Sequence, residues 1–502
     1  MKKCLMVFCS MVIAFSALFR PVPSGSAAGP VFNVVDYGAV GDGKTLDTQA
    51  INKALEACSR NRQGTVLFPR GTYLSGSIHL KSHVTVQIDS GATVLGAPND
   101  INAYDPPEPN PWDQYQDFGH SHFRNALMWG EELENVTVQG KGIIHGGGIT
   151  RGDPKPGGGD KAVSLKLCRN VVIRDITILQ GGHFAILMTG CDKVTIDRIK
   201  VRTSRDGINI VGCRNVDVNH CEVRAIRYEG PRAETIEGTV PRGGDDAIGI
   251  KSDYSLGRKM LSEHITVRNC KLSTGCNALQ FGSETVGDFR NIRFSDCEIE
   301  HADKAGIGIT TNDGAVIDGV AYKNITMTKA ATPFFINVGA RLRSPEKPSI
   351  GSIRNIRFDN ITSTDTYGYM KNCTFTATLS GRPERPVENV VFNNVKIIYK
   401  GGGTREQAEN VPPFPEGYAP ADLGVRPAYG FFIRHARGLE FRNVEIGFEK
   451  EDLRPAVVAE DVDGLRFDRL NAHRAAGVDC DVVLKNVRKY SIQNSGKIKT
   501  RP

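Results

Sequence analysis

The chain has 502 residues, of which 40% are hydrophobic, 24% are charged and 54 are glycine. This is the make-up of a folded, turn-rich protein and excludes a disordered chain. The formal charge of +7 is diffuse, without the basic tract expected of a nucleic-acid binder, and is weakly suited to a polyanionic substrate.

Residues 1–28 read as a secretory signal peptide. Lys2 and Lys3 form the positive end, the apolar run to Phe19 is too short to favour a membrane span, and Ser26-Ala27-Ala28 supplies small residues for cleavage. A secreted protein, extracellular or periplasmic, is therefore expected. Removing residues 1–28 takes away Lys2, Lys3 and Arg20 and lowers the formal charge from +7 to +4. No later run is long and apolar enough to cross a membrane, so neither a membrane nor a nucleic acid is expected as a partner.

Residues 47–60, DTQAINKALEACSR, predict one helix, with Asp47 as N-cap and Ile51, Ala54, Leu55 and Cys58 along one face. After it the pattern changes to a repeated phrase. It reads NVTVQGKGI from 135, NVVIRDITI from 170, KVTIDRIKV from 193, NVDVNHCEV from 215, HITVRNCKL from 264 and NIRFSDCEI from 291. The same phrase returns at 319, 355, 389, 438 and 464, and its closest spacings are 22, 23, 26, 27 and 28 residues. Each copy alternates apolar and polar residues, turns, and begins a second short strand. A helix-free unit of this length cannot bury its own apolar face and must stack on its neighbours. The predicted fold is all-β: a right-handed parallel β-helix whose N-terminal end is capped by the helix, with residues 29–502 forming a single catalytic domain. Insertions at 98–124, 225–243, 341–350 and 399–428 are expected to build the cleft on one face.

Ten cysteines follow the signal. Cys168, Cys191 and Cys213 precede successive strand starts, and Cys221, Cys270 and Cys297 follow such starts at one fixed offset, which predicts stacked, buried thiols rather than disulfides. No Cys/His metal spacing occurs.

Aligning HFAILMT (183–189), RDGINIV (205–211), DDAIGIK (245–251), CNALQFG (276–282) and KAGIGIT (304–310) superimposes the apolar positions Ile186, Ile208, Ile248, Leu279 and Ile307. Asp206 and Asp246 then occupy one place in neighbouring coils, roughly 4.8 Å apart. Asp245 falls in a row with His183, Arg205, Cys276 and Lys304. Three like charges on one patch should couple and raise at least one proton affinity, as a general acid working with a carboxylate base and a water requires. A solvated polar turn and a Ca²⁺ site are the other readings of the trio.

At these residues the chain resembles a known family. VFNVVDYGAVGDGKTLDTQAINKAL and GTVLFPRGTYLSGSIHL are similar to the N-terminal part of secreted pectin-degrading β-helix enzymes. DGINI with GGDDAIGIKS resembles glycoside hydrolase family 28, the polygalacturonase and rhamnogalacturonan hydrolase family, and the likeness extends over residues 31–485. It implies inverting hydrolysis beside galacturonic acid by three aspartates, without metal or cofactor. Asp245 would be the general acid, and Asp206 and Asp246 would hold and deprotonate water. An inverting pair needs about 6.5–9.5 Å between acid and base. The chain departs from the polygalacturonase pattern at three places. Ser204-Arg205 stands for Asn-Thr, Gly275-Cys276-Asn277 for the Gly-His-Gly turn, and Gly308-Ile309-Thr310 for the Arg-Ile-Lys strand that grips the substrate carboxylate. Arg205 and Lys251 are candidates for the missing positive charge, Lys251 equally for neutralising the acids; His183 is a candidate for lining the cleft or a satisfied turn histidine, and Asn277 a candidate for lining the cleft.

The expected function is a secreted, monomeric glycosidase acting on pectic poly- or oligosaccharide. A pectate-lyase-like β-eliminase and a non-catalytic carbohydrate-binding β-helix are the alternatives, and a neutral-sugar specificity stays open. The Asn-x-Ser/Thr tripeptides at Asn135, Asn324, Asn360 and Asn372 are assigned no glycans, three of them lying inside the strand-turn repeat.

Overall fold

A computed structural model describes residues 29–229, 240–366, 376–414 and 418–502. The expected signal peptide, much of the 225–243 insertion, Asn372 and Cys373 lie outside the described residues. The chain winds into a right-handed parallel β-helix in which each strand pairs with the strand one coil later. The repeated phrase forms one sheet, through Val84–Ile88, Glu134–Gly140, Arg169–Arg174, Asp192–Asp197, Arg214–Asn219 and Ser262–Arg268.

The first residue of the phrase turns a corner in the left-handed region, with φ of 53–58° at Asn135, Asn170, Asn215, Asn291, Asn355 and Asn389. Asparagine visits that region at little cost, and glycine takes its place at Gly319, Gly438 and Gly464. A second such corner follows five residues later. There the side chains stack as a hydrogen-bonded ladder, Asn394 donating to Asn360 at 2.8 Å, Asn360 to Asn324 at 2.9 Å and Asn324 to Asp296 at 2.8 Å. Asn324 and Asn360 thus spend their amides inside the ladder. The fourth residue of the phrase points inward. From residue 294 onward it is aromatic, stacking Phe294, Tyr322, Phe358, Phe392 and Phe441 at centroid separations of 4.5–5.1 Å.

The helix α1 spans Thr48–Arg60 and buries Ile51, Ala54, Leu55 and Cys58. Asp47 precedes it but makes no side-chain cap. Its carboxylate instead accepts from the Val40 and Gly41 amides at 2.7 and 3.0 Å, because the chain before the helix folds back over it. The nine described cysteines after the signal are free and buried. The Cys191 amide lies 3.3 Å from the Cys213 sulfur, in the column that also contains Cys168.

The sheet built from Lys161–Lys166, Phe184–Thr189, Asp206–Val211, Ile248–Ser252 and Leu279–Thr285 differs from the others. Phe184–Thr189 and Asp206–Val211 are buried at every position, on the outer as well as the inner side. On the outer side Phe123 of the 98–124 insertion packs over Phe184, Leu187 and Val211. The one at 225–243 begins as an antiparallel hairpin that pairs Ile226 with Gly244.

The stacked thiols predict that native protein resists a thiol reagent and that its cysteines react together on unfolding. A reductant should leave the unfolding temperature unchanged within about 1 °C. A clear drop on reduction, followed by calorimetry, would indicate a disulfide instead.

Candidate active site

The acids stand at the start of the double-covered sheet, where strict in–out alternation breaks. Ala185, Ala247 and Ala278 join the core alongside the adjacent Ile186, Ile248 and Leu279, so two consecutive residues face inward. Gly207 takes the same place next to Ile208; a Cβ there would lie 2.5 Å from Val223 and 2.4 Å from the Ala247 carbonyl oxygen. The residue before each small one is therefore turned outward. Phe184 shows this directly by packing in a separate outer cluster with Phe123, Leu187 and Val211. Asp206, Asp246 and Asn277 follow Phe184 in that row. Gly243 and Gly244, with φ of 111° and 150°, carry the chain past the Ala225 carbonyl and Gly275 into Asp245. The Thr274 hydroxyl donates to the Asp245 carbonyl.

The structure brings the three acids together. The backbone N–H of Asp246 donates to Asp206 Oδ1 at 3.0 Å and to Asp245 Oδ1 at 3.1 Å. Oxygens of Asp245 and Asp246 and the Cys276 sulfur lie within 4.8 Å of one another. That approach is shorter than the gap expected of an inverting pair, because Asp245 and Asp246 are consecutive on one bend. Asp206 and Asp246 are 3% and 5% exposed, whereas Asp245 reaches solvent. Burial, reinforced by the charge of Asp245, pushes Asp206 well above and Asp246 above the usual carboxylate range.

The other candidate residues separate by what they touch. Lys251 is buried, with Nζ 3.4 Å from Asp206 Oδ2 and 3.9 Å from Glu284 Oε2; of its two expected roles, neutralising the acids is the one this geometry serves. Burial opposes its charge, but Asp206 and Glu284 outweigh it and hold the ammonium charged. Asn277 sits behind Asp246 and donates from Nδ2 to Oδ1 at 2.8 Å. Arg205 is half-buried, its Nε 3.3 Å from Asp245 Oδ2 and its Nη1 donating to the Arg151 carbonyl at 2.7 Å. His183 is 3% exposed and stacked on Phe184 at 4.2 Å, with Nδ1 unpartnered. Burial, then the charge of Arg205, pushes its pKa well below the usual range and leaves it neutral.

The positions that match the carboxylate-gripping strand are closed. Gly308 is buried, and a Cβ there would fall 1.9 Å from Gln280 Oε1. Gln280 pairs with Gly308 in register and donates to the Phe281 carbonyl at 2.7 Å, so its side chain fills the space an arginine would need. Thr310 is fully buried and donates to the same carbonyl at 2.9 Å.

A second layer comes from residues that the sequence pattern did not single out. His120, on the 98–124 insertion, lies 3.1 Å from Asp253, 3.4 Å from Lys251 Nζ and 3.7 Å from Glu284. Arg343, on the 341–350 insertion, pairs with Glu284 at 2.7 Å and reaches Asp117 of the 98–124 insertion at 3.7 Å. Arg341 pairs with Asp313 at 2.6 Å. Burial alone would raise Glu284, but His120, Lys251, Arg341 and Arg343 together hold it below the usual carboxylate range. Glu284 and Asp313 carry one sequence signal, as acids at the ends of strands in this sheet. His120 has none, because it lies on a loop without a period.

Toward the N-terminus the rows of Asp245 and Asp246 run on as Arg205 and Asp206, His183 and Phe184, Asp160 and Lys161. Asp160 and Lys161 are wholly buried and paired at 2.5 Å. The 98–124 insertion lies over them, with Gly119 so close to His183 and Phe184 that a Cβ would meet both rings at 2.6–2.7 Å. The cleft is therefore closed on this side. Half-exposed Arg205, Asp245 and Lys304 mark its opening.

The arrangement of three convergent carboxylates, two of them buried, suits proton transfer to and from a water and a leaving group. Lys304, which contacts the Cys276 thiol, sets a positive charge beside the group formed by Asp245, Asp246 and Cys276.

The family model described as Glycosyl hydrolases family 28 matches residues 58–419. A probable polygalacturonase of Vitis vinifera is 24% identical over 389 residues, covering 73% of this chain and 74% of its own length. An exopolygalacturonase of Zea mays is 25% identical over 407 residues, covering 76% and 87%. Among solved structures, a hyperthermoactive exopolygalacturonase of Thermotoga maritima superposes with a TM-score of 0.63 at 18% identity, over 85% of this chain and 93% of that one. The family 28 exopolygalacturonase of Yersinia enterocolitica gives 0.62 at 18% identity, over 89% and 79%. These last two likenesses establish the fold.

Two outcomes follow from the electrostatics. Asp246 has a raised pKa when folded, so its ionised form weakens the fold at neutral and higher pH, and that penalty fades as pH falls and the proton returns. Asp246→Asn should therefore raise the unfolding temperature at pH 8 by about 1–2 °C, with the difference shrinking toward acid pH. Removing the counter-charge by Lys251→Met leaves Asp206 and Glu284 buried without it. It should cost about 3–5 kcal/mol in denaturant unfolding. It should also move the acid limb of any pH–rate profile upward, because Asp206 loses the neighbour that favours its ionised form.

Proposed function

The chain belongs to the glycosyl hydrolases of family 28, and from that premise we propose that it is a secreted, exo-acting hydrolase of pectic chains that removes terminal units by single displacement. The observation that carries this reading is the convergence of Asp206, Asp245 and Asp246 at the blind end of a cleft closed by the 98–124 insertion. In this mechanism Asp245, the member that reaches solvent, protonates the glycosidic oxygen as its bond to the anomeric carbon breaks. Water attacks that carbon and loses its proton to the buried pair Asp206 and Asp246. The buried pair then returns the proton taken from water to Asp245, which closes the cycle. Arg205 and Asn277 hold Asp245 and Asp246 in place, and Lys251 limits the cost of ionising Asp206. Support for exo action comes from the wholly buried Asp160 and Lys161 two coils below Asp206, which leave no room for a long chain on that side. The names of the Zea mays, Thermotoga maritima and Yersinia enterocolitica relatives point the same way. Secretion is supported by the signal-like residues 1–28, and the exported protein is expected to begin near Gly29 on N-terminal sequencing.

The close approach of Asp245 and Asp246 also suits a carboxylate that attacks the sugar itself, so the anomer formed discriminates. Proton NMR of the first product should show the inverted anomer; the retained anomer would replace the water mechanism with a covalent one. On polygalacturonan and short oligomers, release of one small product with little early loss of viscosity is expected. A spread of mid-sized oligomers would overturn exo action, and chelator-sensitive formation of unsaturated products would overturn hydrolysis. Asp245→Asn should lower kcat by about 10²–10⁴-fold with the unfolding temperature retained.

A further inference from the structure

The cations around the acids are almost all spoken for. Lys251 pairs with Asp206, Arg205 with Asp245, Arg341 with Asp313 and Arg343 with Glu284. Lys304 is the exception among the described buried and half-buried cations at the mouth of the cleft. It is half-buried and forms no carboxylate ion pair; its side chain contacts the thiol of Cys276 and stands within the field of Asp246 and Asp245. Burial opposes its charge, but Cys276 and the more distant Asp246 and Asp245 outweigh it and keep the ammonium charged, with no carboxylate close enough to pair with it directly. Its position is fixed by register. The Lys304 amide donates to the Cys276 carbonyl at 2.8 Å, which places Lys304 in the row of Asp245, two coils toward the C-terminus. At about 4.8 Å per coil this is roughly 10 Å along the cleft. The N-terminal side is blocked, so a chain whose end lies on the acids must run over Cys276 and Lys304.

We propose that Lys304 is the specificity-determining residue for an anionic sugar, binding the carboxylate of a uronate on the C-terminal side of the acids in place of the arginine and lysine displaced by Gly308 and Thr310. This rests on the pectic reading above and deepens it, since the charge is supplied from a different row of the sheet. Cys276 bridges the acids and Lys304 without competing for the ligand. The half-exposed Tyr418 places its phenol within the field of Lys304.

The test compares full-length wild type, Lys304→Met and Lys304→Arg on trigalacturonate and on its methyl ester. Lys304→Met should raise KM for trigalacturonate by roughly 10–100-fold, with kcat changed less than about threefold. It should leave the methyl ester unaffected, and Lys304→Arg should restore most of the loss. Calorimetric titration of trigalacturonate into the Asp245→Asn protein, with and without Lys304→Met, should show the same factor in Kd. Equal KM and Kd in the Lys304→Met and parent proteins would overturn the proposal while leaving the pectic hydrolase standing. An equal loss on acid and ester would overturn it too, by showing a structural role. Wild type that binds and cleaves only neutral oligosaccharides would overturn the pectic reading and this proposal together, an outcome already visible before any Lys304 variant is made.

Discussion

The stacking of Ile186, Ile208, Ile248, Leu279 and Ile307 on the inner face of one sheet is the constraint from which the site follows. Neighbouring coils hold these side chains in register, and each contributes about 1.5–3 kcal/mol by burial. Shifting any coil by one residue would turn its apolar set toward the acids. Against that, each unit of raised carboxyl pKa costs about 1.4 kcal/mol when the group ionises. The apolar rows, continued by Met188, Ile210, Ile250, Phe281 and Ile309, outweigh the repulsion of the aspartates several-fold. The solenoid can hold like charges together because its stability is stored elsewhere along the coils.

The small residue before each of these apolar ones converts the register into chemistry. With alanine or glycine at 185, 207, 247, 278 and 306 the chain rounds the corner with two residues inward, and the side chain before them is aimed out of the sheet. Asp206 and Asp246 belong to this row. Their outward direction would otherwise contradict the alternation that places Ile208 and Ile248 inside. The insertions then remove water from the outer face. His120, Arg343 and Asp117 join the 98–124 and 341–350 loops over Glu284 and Lys251, so the loops that shape the cleft also set the charge beside Asp206.

Much of this was legible in the amino-acid sequence, because a repeat exposes the same choice many times. The left-handed corners appear as Asn or Gly at one place in most phrases, with Lys193 and His264 as exceptions, and the thiol columns appear as equal offsets. The meeting of Asp206 with Asp246 follows from aligning five strands. Legibility ends where a contact is made once. His120 reaches the site from a loop with no period. Asp47 precedes a helix as a cap residue should, yet serves the Val40 and Gly41 amides because of a fold-back that leaves no local pattern. Asn277 and Lys251 carry polar groups suited to a sugar, but a hydrogen bond to Asp246 and an ion pair with Asp206 claim them first. Gly308 reads as a lost arginine until Gln280 is seen filling its space.

Charge balance across the cleft ties the altered positions together. Asp206, Asp245, Asp246, Glu284 and Asp313 stand against Arg205, Lys251, Lys304, Arg341 and Arg343, with Asp253 and His120 forming a pair beside them. If every carboxyl were ionised these sets would cancel. Burial and the charge of Asp245 raise Asp206 and Asp246, so these two hold protons more tightly than isolated carboxyls do, which shifts the balance of the cleft toward positive charge. Lys304 is the cation of this set that makes no carboxylate ion pair, and it lies at the mouth rather than beneath the acids. An anionic sugar arriving there would neutralise the cleft without approaching the carboxylates that must act on its neighbour. A design that kept the usual arginine and lysine on the row of Gly308 and Thr310 would crowd Gln280 and the tightly packed outer face of the sheet. Moving the positive charge onto the row of Asp245 avoids that crowding, because this row opens to solvent.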